Sequence, residues 1–273
     1  IFNSNWSKNR FLESIDSRFI NSEKLKVCFQ SASKGNLESI KNKKKWITFV
    51  GKLNKAKGYD IFGKSIIKVL NKNPLWQAKI VGDEKREKIE FNHNRIDKLG
   101  FLEHKKVLAL YKKSSIAVVC SRWDEPFGRT SLEASANGNA VIISNKGGLP
   151  ETITNGIILR KLNSIELTKK LNELINNSTY RKKLQRLSIQ NFYLSNVYVS
   201  NLIDNYRDEK LKKINIFNTN KNNKSLRILH VTNFNERLDG RLFFNTGRRI
   251  NNGFIRLGHS VLGFSDRDIV KYY

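Results

Sequence analysis

The stretch IAVVCSRWDEPFGRTSLEASA at residues 116–136 carries the clearest indication of the fold. It begins with an unbroken apolar run, Ile116 to Cys120, which is typical of a strand whose two faces are both covered in a parallel sheet. Pro126 and Gly128 then mark the start of a helix, which we predict over residues 129–136. A buried strand that leads directly into a helix is part of a βαβ unit.

The same alternation continues on both sides of this stretch. Strands are predicted at residues 46–50, 78–81, 95–101, 140–143 and 156–159, and helices at residues 59–70, 105–112 and 163–175. This order predicts an α/β fold with a doubly wound, Rossmann-like parallel sheet. Ligands of such sheets bind beyond the carboxyl ends of the strands, so functional residues are expected just after Val50, Val81, Leu99 and Cys120.

The two ends of the chain have a different texture. We interpret residues 1–44 as the end of a preceding domain with a linker, including a possible strand at 25–30 and a solvated lysine tract at 41–45. The main domain covers residues 45–214 and ends in long basic helices. Residues 215–224 are rich in Asn and Lys and predict a linker, and residues 225–273 predict an incomplete second βαβ unit. This unit and the lack of Met favour a piece of a longer chain.

Composition narrows the function classes. The chain has 273 residues, of which 39% are hydrophobic, and this excludes a disordered protein. No apolar run approaches the roughly 18 residues that span a bilayer, no signal peptide is recognisable, and two cysteines suit a reducing cytoplasm. The net charge of +27 is spread along the chain, which disfavours nucleic-acid binding and favours at most weak contact with an anionic membrane surface.

The segment around the predicted helix start carries the main chemical signal. The backbone N–H groups of Gly128, Arg129 and Thr130 would lie at the N-terminus of a helix, where they suit a phosphate. Glu125 and Glu133 flank this point, and carboxylates suit hydroxyl groups such as those of a ribose and a sugar. Alternatively, Glu133 is a surface helix residue and Glu125 merely complements the helix dipole.

Other candidate sites are weaker. The glycine-flanked loop at residues 51–58 contains three lysines and could neutralise a diphosphate, or it could be a basic surface turn. The segment GGLPE at residues 147–151 could be a simple turn. His93 and His104 lie in polar stretches without a metal-ligand spacing, so we interpret them as solvated and expect no metal site.

Taken in order, these motifs resemble the C-terminal, donor-binding domain of GT-B glycosyltransferases of the group often called glycosyl transferases group 1, a family-4-like, retaining group. The resemblance rests on FVGK at 49–52, KG at 57–58, IVGD at 80–83, LGF at 99–101, EPFG at 125–128 with EA at 133–134, and GGLPE at 147–151. It spans residues 45–160. Residues 225–273 similarly resemble the start of a second GT-B N-terminal domain, and residues 1–44 would include the end of an acceptor domain.

Carried onto this sequence, the resemblance implies specific roles. Lys52 and Lys57, beside Gly51, would contact the diphosphate of a nucleotide sugar, although the commoner pattern has Arg in place of Lys52. Glu133 would bind the ribose, and Glu125 would be the catalytic candidate that positions the donor sugar. The sugar and phosphate would be held by the backbone of Phe127, Gly128, Arg129 and Thr130. The base would lie beside Phe101 and Leu102.

The resemblance also implies an activity. It predicts transfer of a sugar, with retention, from a nucleotide-diphosphate sugar to a glycan or lipid-linked acceptor in surface polysaccharide or lipopolysaccharide biosynthesis. No metal or other cofactor is expected, and the location would be cytoplasmic or peripheral at the inner membrane face. Two alternatives stay open: a non-catalytic basic α/β module that binds nucleic acid or anionic membrane, and a degenerate glycosyltransferase-like scaffold.

Overall fold

The computed structural model describes residues 1–16, 18, 21, 24–213, 225–232 and 246–265. Contacts divide the chain into two compact units, residues 1–208 and residues 209–273. The predicted linker at 215–224 lies outside the described residues. The domain boundaries inferred from the sequence stay predictions.

The first unit is built on a six-stranded parallel sheet. Its strands are β1 (Lys44–Val50), β2 (Gln77–Val81), β3 (Ile96–Lys98), β4 (Ser114–Val119), β5 (Ala140–Ser144) and β6 (Ile157–Leu159). They lie in the order β3-β2-β1-β4-β5-β6, and every neighbouring pair is parallel. The predicted doubly wound sheet is confirmed. The chain reverses its direction of travel across the sheet between β1 and β4, which is where such sheets open a crevice.

Helices connect and extend these strands. They are α1 (Asn5–Ser14), α2 (Tyr59–Lys72), α3 (His104–Lys113), α4 (Arg129–Ala136), α5 (Ser164–Asn176), α6 (Ser178–Gln190) and α7 (Asn196–Lys213). Short 3-10 helices cover Leu37–Asn42 and Leu149–Thr152. The start of α5 is capped as its sequence indicates, since the Asn163 side chain accepts a hydrogen bond from the Glu166 N–H at 2.9 Å. The long basic stretch after residue 179 is divided into two helices.

Both faces of the sheet are covered, as the apolar run in β4 requires. Ile116 and Val118 lie in a core cluster with residues of α2 and α5. Ala117 and Val119, which alternate with them along the strand, lie in a second cluster with residues of α3 and with Ala134 of α4. Since side chains alternate across a strand, a continuous apolar run is stable only where helices pack on each side.

The N-terminal region corrects two expectations. Residues 25–30 form no strand; Val27 makes only an isolated bridge to Phe2. The lysine tract at 41–45 is not a solvated linker, because β1 already begins at Lys44. Lys43 donates hydrogen bonds from Nζ to the carbonyl oxygens of Tyr111 (2.8 Å) and Asn137 (2.7 Å), and burial lowers its pKa to about 7. The tract is therefore part of the folded domain at the amino end of the sheet.

The second unit contains one described strand–helix–strand motif. Its elements are β7 (Arg227–Thr232), α8 (Thr246–Arg256) and β8 (Ser260–Ser265). The two strands pair in parallel, in register from Arg227 with Ser260 to Thr232 with Ser265. The predicted βαβ unit is thus present. In the part of the chain that the structure describes, no helix has the length and apolar character needed to cross a bilayer.

Candidate functional site

A cavity of about 190 Å³ opens at the carboxyl ends of β1 and β4, the place where the sheet topology reverses. Six of the predicted site residues line it: Gly51, Lys57, Glu125, Gly128, Arg129 and Thr130. They come from the loop after β1, the loop after β4 and the first turn of α4. The sheet thus brings together segments that are far apart in the sequence.

Within this cavity Lys57 and Glu125 form an ion pair between Nζ and Oε1. Both side chains are mostly shielded, with 31% and 15% of their surface exposed. Charges that are partly removed from water interact more strongly than the same charges on an open surface. The wall of the cavity therefore holds a cation and an anion in direct contact, and Arg129 adds a second cationic side chain.

The loop at 51–58 is fastened to the segment after β4. The carbonyl oxygen of Ala56 accepts hydrogen bonds from the N–H groups of Arg122 (2.8 Å) and Trp123 (3.1 Å). Gly58 adopts φ +73°, and a Cβ there would lie 1.9 Å from the carbonyl oxygen of Cys120, so only glycine fits. These contacts hold Lys57 beside Glu125, and the loop is part of the cavity wall rather than a basic surface turn.

Arg122 also belongs to this region, although the sequence did not predict a role for it. Arg122 pairs with Asp60 of α2 through two hydrogen bonds, from Nη1 to Oδ1 at 2.6 Å and from Nη2 to Oδ2 at 2.7 Å. It also donates to the carbonyl oxygen of Lys55 at 2.6 Å. The hydrogen bonds from Arg122 lower the pKa of Asp60 below its usual value. Since 62 residues separate the pair, no local spacing in the sequence indicates it.

The start of α4 has the geometry of an anion site. Gly128 precedes the helix with φ +116° and provides no side-chain cap. The helical hydrogen bonds begin with the N–H of Leu132, 3.2 Å from the carbonyl oxygen of Gly128. The N–H groups of Arg129 and Thr130 therefore precede the first helical bond and are available beside the cavity.

The segment EPFG at 125–128 is held at three successive residues. The carbonyl oxygen of Glu125 accepts from the N–H of Gly148 at 2.7 Å, and that of Pro126 accepts from the hydroxyl of Ser4 at 2.5 Å. The side chain of Phe127 is buried in a core cluster with partly buried Phe29 packed against it. Phe127 is thus an anchor of the loop, and its side chain does not line the cavity. The turn at residues 147–148 supports the loop that carries Glu125.

A second cavity of about 250 Å³ adjoins the first and shares Val50 and Gly51 with it. Lys52, Phe101 and Leu102 line this cavity, with apolar residues of β1, β2 and α3. The predicted site residues are therefore divided between a polar cavity around Lys57 and an apolar cavity around Phe101.

Glu133 lines neither cavity. Its side chain is only 6% exposed, and its Oε1 accepts hydrogen bonds from Arg129 Nε at 2.6 Å and His104 Nε2 at 2.8 Å. His104, which we expected to be solvated, is half exposed and in addition contacts Glu133. The neighbouring phenol of Tyr111 is fully buried, and burial together with the charge of Glu133 raises its pKa far above its usual value. Arg129 connects Glu133 to the polar cavity, because it also lines that cavity.

Among the residues that the structure describes, no three His, Cys, Asp or Glu side chains come close enough to hold a metal ion.

Comparison with known proteins identifies the family. The family described as Glycosyl transferases group 1 matches residues 34–190, more than half of the chain. This chain belongs to the Glycosyl transferases group 1 family. The match covers β1 to β6 and both cavities. The resemblance based on the EPFG and glycine motifs is thereby confirmed at the level of the family, and the fold is the Rossmann-like fold of GT-B glycosyltransferases.

Individual relatives of this group 1 chain are distant. It is 29% identical over 162 residues to spore coat protein SA of Bacillus subtilis (strain 168), covering 53% of this chain and 43% of that protein. It is 31% identical over 123 residues to the lipopolysaccharide core biosynthesis mannosyltransferase LpsB of Rhizobium meliloti (strain 1021), covering 41% and 35%. The chain thus spans less than half the length of these relatives.

The solved structure of Anabaena Alr3699/HepE in complex with UDP-glucose aligns with a TM-score of 0.62 and 20% identity, over 78% of this chain and 63% of that one. This likeness shows the shared fold.

Proposed function

We propose that this chain forms the donor-binding half of a glycosyltransferase that moves a sugar from a nucleoside diphosphate sugar to a glycan or lipid-linked acceptor. The observation that carries the proposal is the polar cavity at the sheet reversal, where Lys57, Glu125 and the start of α4 meet. The residues in this region include groups that can bind a diphosphate, a sugar and a nucleoside.

The diphosphate would lie against the first turn of α4. The N–H groups of Arg129 and Thr130 supply partial positive charge, and Lys57 supplies a full charge. Lys52, in the adjoining cavity, adds a second cation near the shared wall at Gly51. Preorganised positive charge of this kind stabilises the negative charge that develops on a departing diphosphate. That a metal is not needed stays a prediction.

Glu125 would bind the hydroxyl groups of the donor sugar. Its ion pair with Lys57 keeps it in place in the free protein. When a diphosphate binds, Lys57 gains a second anionic partner, and the carboxylate can accept hydrogen bonds from the sugar. Among the described residues, Glu125 is the one carboxylate that lines this cavity, and in the free protein it is paired with Lys57. We propose transfer with retention and without a covalent intermediate on the protein, as the resemblance to the group implies.

The nucleoside would occupy the apolar cavity. Phe101 and Leu102 offer apolar surface beside which a base can pack, and Glu133 would accept hydrogen bonds from the ribose. The UDP-glucose bound by HepE supports a nucleoside diphosphate sugar as the donor. The name of LpsB supports a place in lipopolysaccharide or other surface polysaccharide assembly.

Calorimetric titration with UDP-, GDP- and ADP-sugars tests this proposal. We expect one nucleotide class to bind, and Glu133→Gln, which keeps the size of the side chain, to weaken binding about tenfold or more. Glu173→Gln is the matched control, because Glu173 is also a helical acid, pairs with Lys170 at 2.8 Å on α5 and lines neither cavity. Failure of every donor to bind, or equal affinity of wild type and Glu133→Gln, would overturn the proposal.

Salt separates this function from simple attraction to polyanions. Binding to nucleic acid or an anionic surface weakens by a factor of roughly 10³ or more between about 50 and 200 mM salt, because counterions are released. A single diphosphate in a cavity should weaken far less. A steep salt dependence of the measured donor affinity would therefore contradict the cavity.

A further inference from the structure

We propose that His104 is a positioning residue that holds Glu133 for the pentose hydroxyl groups of the donor. The inference rests on the proposed function and extends it to a residue outside the motifs that indicated the site. His104 is the first residue of α3, and Glu133 lies in α4. Their contact, 2.8 Å between Nε2 and Oε1, links two separate helices.

The carboxylate of Glu133 is held from one side only. Both Arg129 Nε, at 2.6 Å, and His104 Nε2, at 2.8 Å, reach the same oxygen, Oε1. Among the described residues, no hydrogen bond reaches Oε2. Two donors from different helices fix the side chain more firmly than one, because a rotation that keeps one contact breaks the other. The arrangement leaves Oε2 as the acceptor for a ligand.

The two donors to Glu133 belong to different parts of the site. Arg129 lines the polar cavity in which we place the diphosphate. His104 follows Phe101 and Leu102, which line the apolar cavity in which we place the base. In a nucleoside diphosphate the pentose joins the base to the diphosphate, so the acceptor for its hydroxyl groups should lie between the segments that hold these two groups. Glu133 lines neither cavity, but it is bound by Arg129, which lines the polar cavity, and by His104, which follows the segment that lines the apolar cavity.

A purely structural role for His104 predicts a different outcome. The imidazole is 53% exposed, and hydrogen-bonded pairs with one partner in solvent contribute little stability. Its removal should therefore leave the fold intact. The carboxylate, in contrast, is only 6% exposed and would gain rotational freedom without its partner on α3. The effect should appear in ligand affinity and depend on the pentose hydroxyl groups.

The test compares ribonucleotides with 2′-deoxyribonucleotides. Affinities for UDP, GDP, ADP and their 2′-deoxy forms are measured by calorimetry for wild type, His104→Ala and His104→Gln. We expect His104→Ala to weaken ribonucleotide binding about fivefold and 2′-deoxynucleotide binding less than about twofold. His104→Gln, whose Nε2 can replace the imidazole donor, should restore most of the affinity. His93→Gln is the control, since His93 contacts Asn71 at 3.1 Å and lines neither cavity.

The outcomes separate the two proposals. If wild type binds none of the nucleotides, the proposed function fails and this inference fails with it. If wild type binds but His104→Ala weakens both nucleotide types equally, or changes neither, only the role of His104 is overturned. A thermal midpoint of His104→Ala lowered by more than about 4 °C would assign His104 a structural role instead.

Discussion

Two lysines at opposite ends of the same sheet have opposite surroundings. Lys57, beyond the carboxyl end of β1, contacts the carboxylate of Glu125 in an open cavity. Lys43, just before the amino end of β1, contacts two backbone carbonyl oxygens, those of Tyr111 and Asn137. Tyr111 lies in the last turn of α3, and Asn137 directly follows α4, so the second lysine bridges the ends of two helices.

The difference shows how one residue type can serve a ligand or the fold. The Glu125 side chain is an exchangeable partner, since a bound diphosphate can take over part of its contact with Lys57. Carbonyl oxygens at helix ends cannot leave, and they carry the negative end of the helix dipole. Lys43 therefore stabilises the packing of α3 against α4, while Lys57 remains available to an anion.

The substitution Lys43→Met should have the largest effect. Its long apolar side chain keeps the packing but removes the donor from two carbonyl oxygens, so we expect the free energy of unfolding to fall by about 2 kcal/mol. Donor affinity should stay the same. Lys45→Met, at an exposed position of β1, is the control and should change stability by less than about 0.5 kcal/mol. Urea unfolding measures both. Equal stability of the two variants would show that Lys43 does not tie the helices.

The converse change is Lys57→Ala. We expect the affinity for the donor nucleotide to fall about tenfold, because the diphosphate loses a cation and faces an unpaired Glu125. The free energy of unfolding should change by less than about 1 kcal/mol, as is usual for partly exposed ion pairs. Lys55→Ala is the control in the same loop. Because Lys55 is 72% exposed, this variant should bind the donor nucleotide as wild type does. Equal loss of affinity in both variants would indicate a diffuse charge effect.

The pair of Asp60 and Arg122, which is bonded to the loop that carries Lys57, should give a smaller effect. The pKa of Asp60 is lowered by its hydrogen bonds with Arg122. A carboxyl with a lowered pKa in the folded state adds stability above its unfolded pKa of about 3.9, and that stability is lost as the pH falls through the folded value. Asp60→Asn should thus be less stable than wild type by about 0.5–1 kcal/mol at neutral pH. The expected difference is small because Arg122 is partly exposed and solvent weakens its interaction with Asp60.

Urea unfolding at a series of pH values checks this prediction. The stability difference between wild type and Asp60→Asn should shrink as the pH falls below about 4. Asp204→Asn removes an exposed acid of α7 that pairs with Arg207 and serves as the control. A difference that stays constant across the acid range would assign the effect of the substitution to packing rather than to the charge of Asp60.

Much of the architecture could be predicted because it depends on local sequence patterns. The apolar run before Ser121 predicts a strand covered on both faces, and Pro126 with Gly128 predicts the start of α4 at Arg129, where it is observed. The order of elements predicted the parallel sheet, and sheet topology placed the site at its carboxyl end. The weaker predictions failed where local patterns are ambiguous, as in residues 25–30, where polar and apolar residues alternate without a neighbouring strand to pair with.

Local patterns predicted most strands and helices, the family resemblance and the loops that carry the candidate site, since each depends on residues close together in the chain. Which distant side chains contact one another follows from the tertiary structure alone. His104 meets Glu133 across 29 residues, and Lys43 meets Asn137 across 94. These contacts exist because a parallel sheet places distant loops at one edge, and whether a polar side chain is solvated or bound depends on which elements become neighbours.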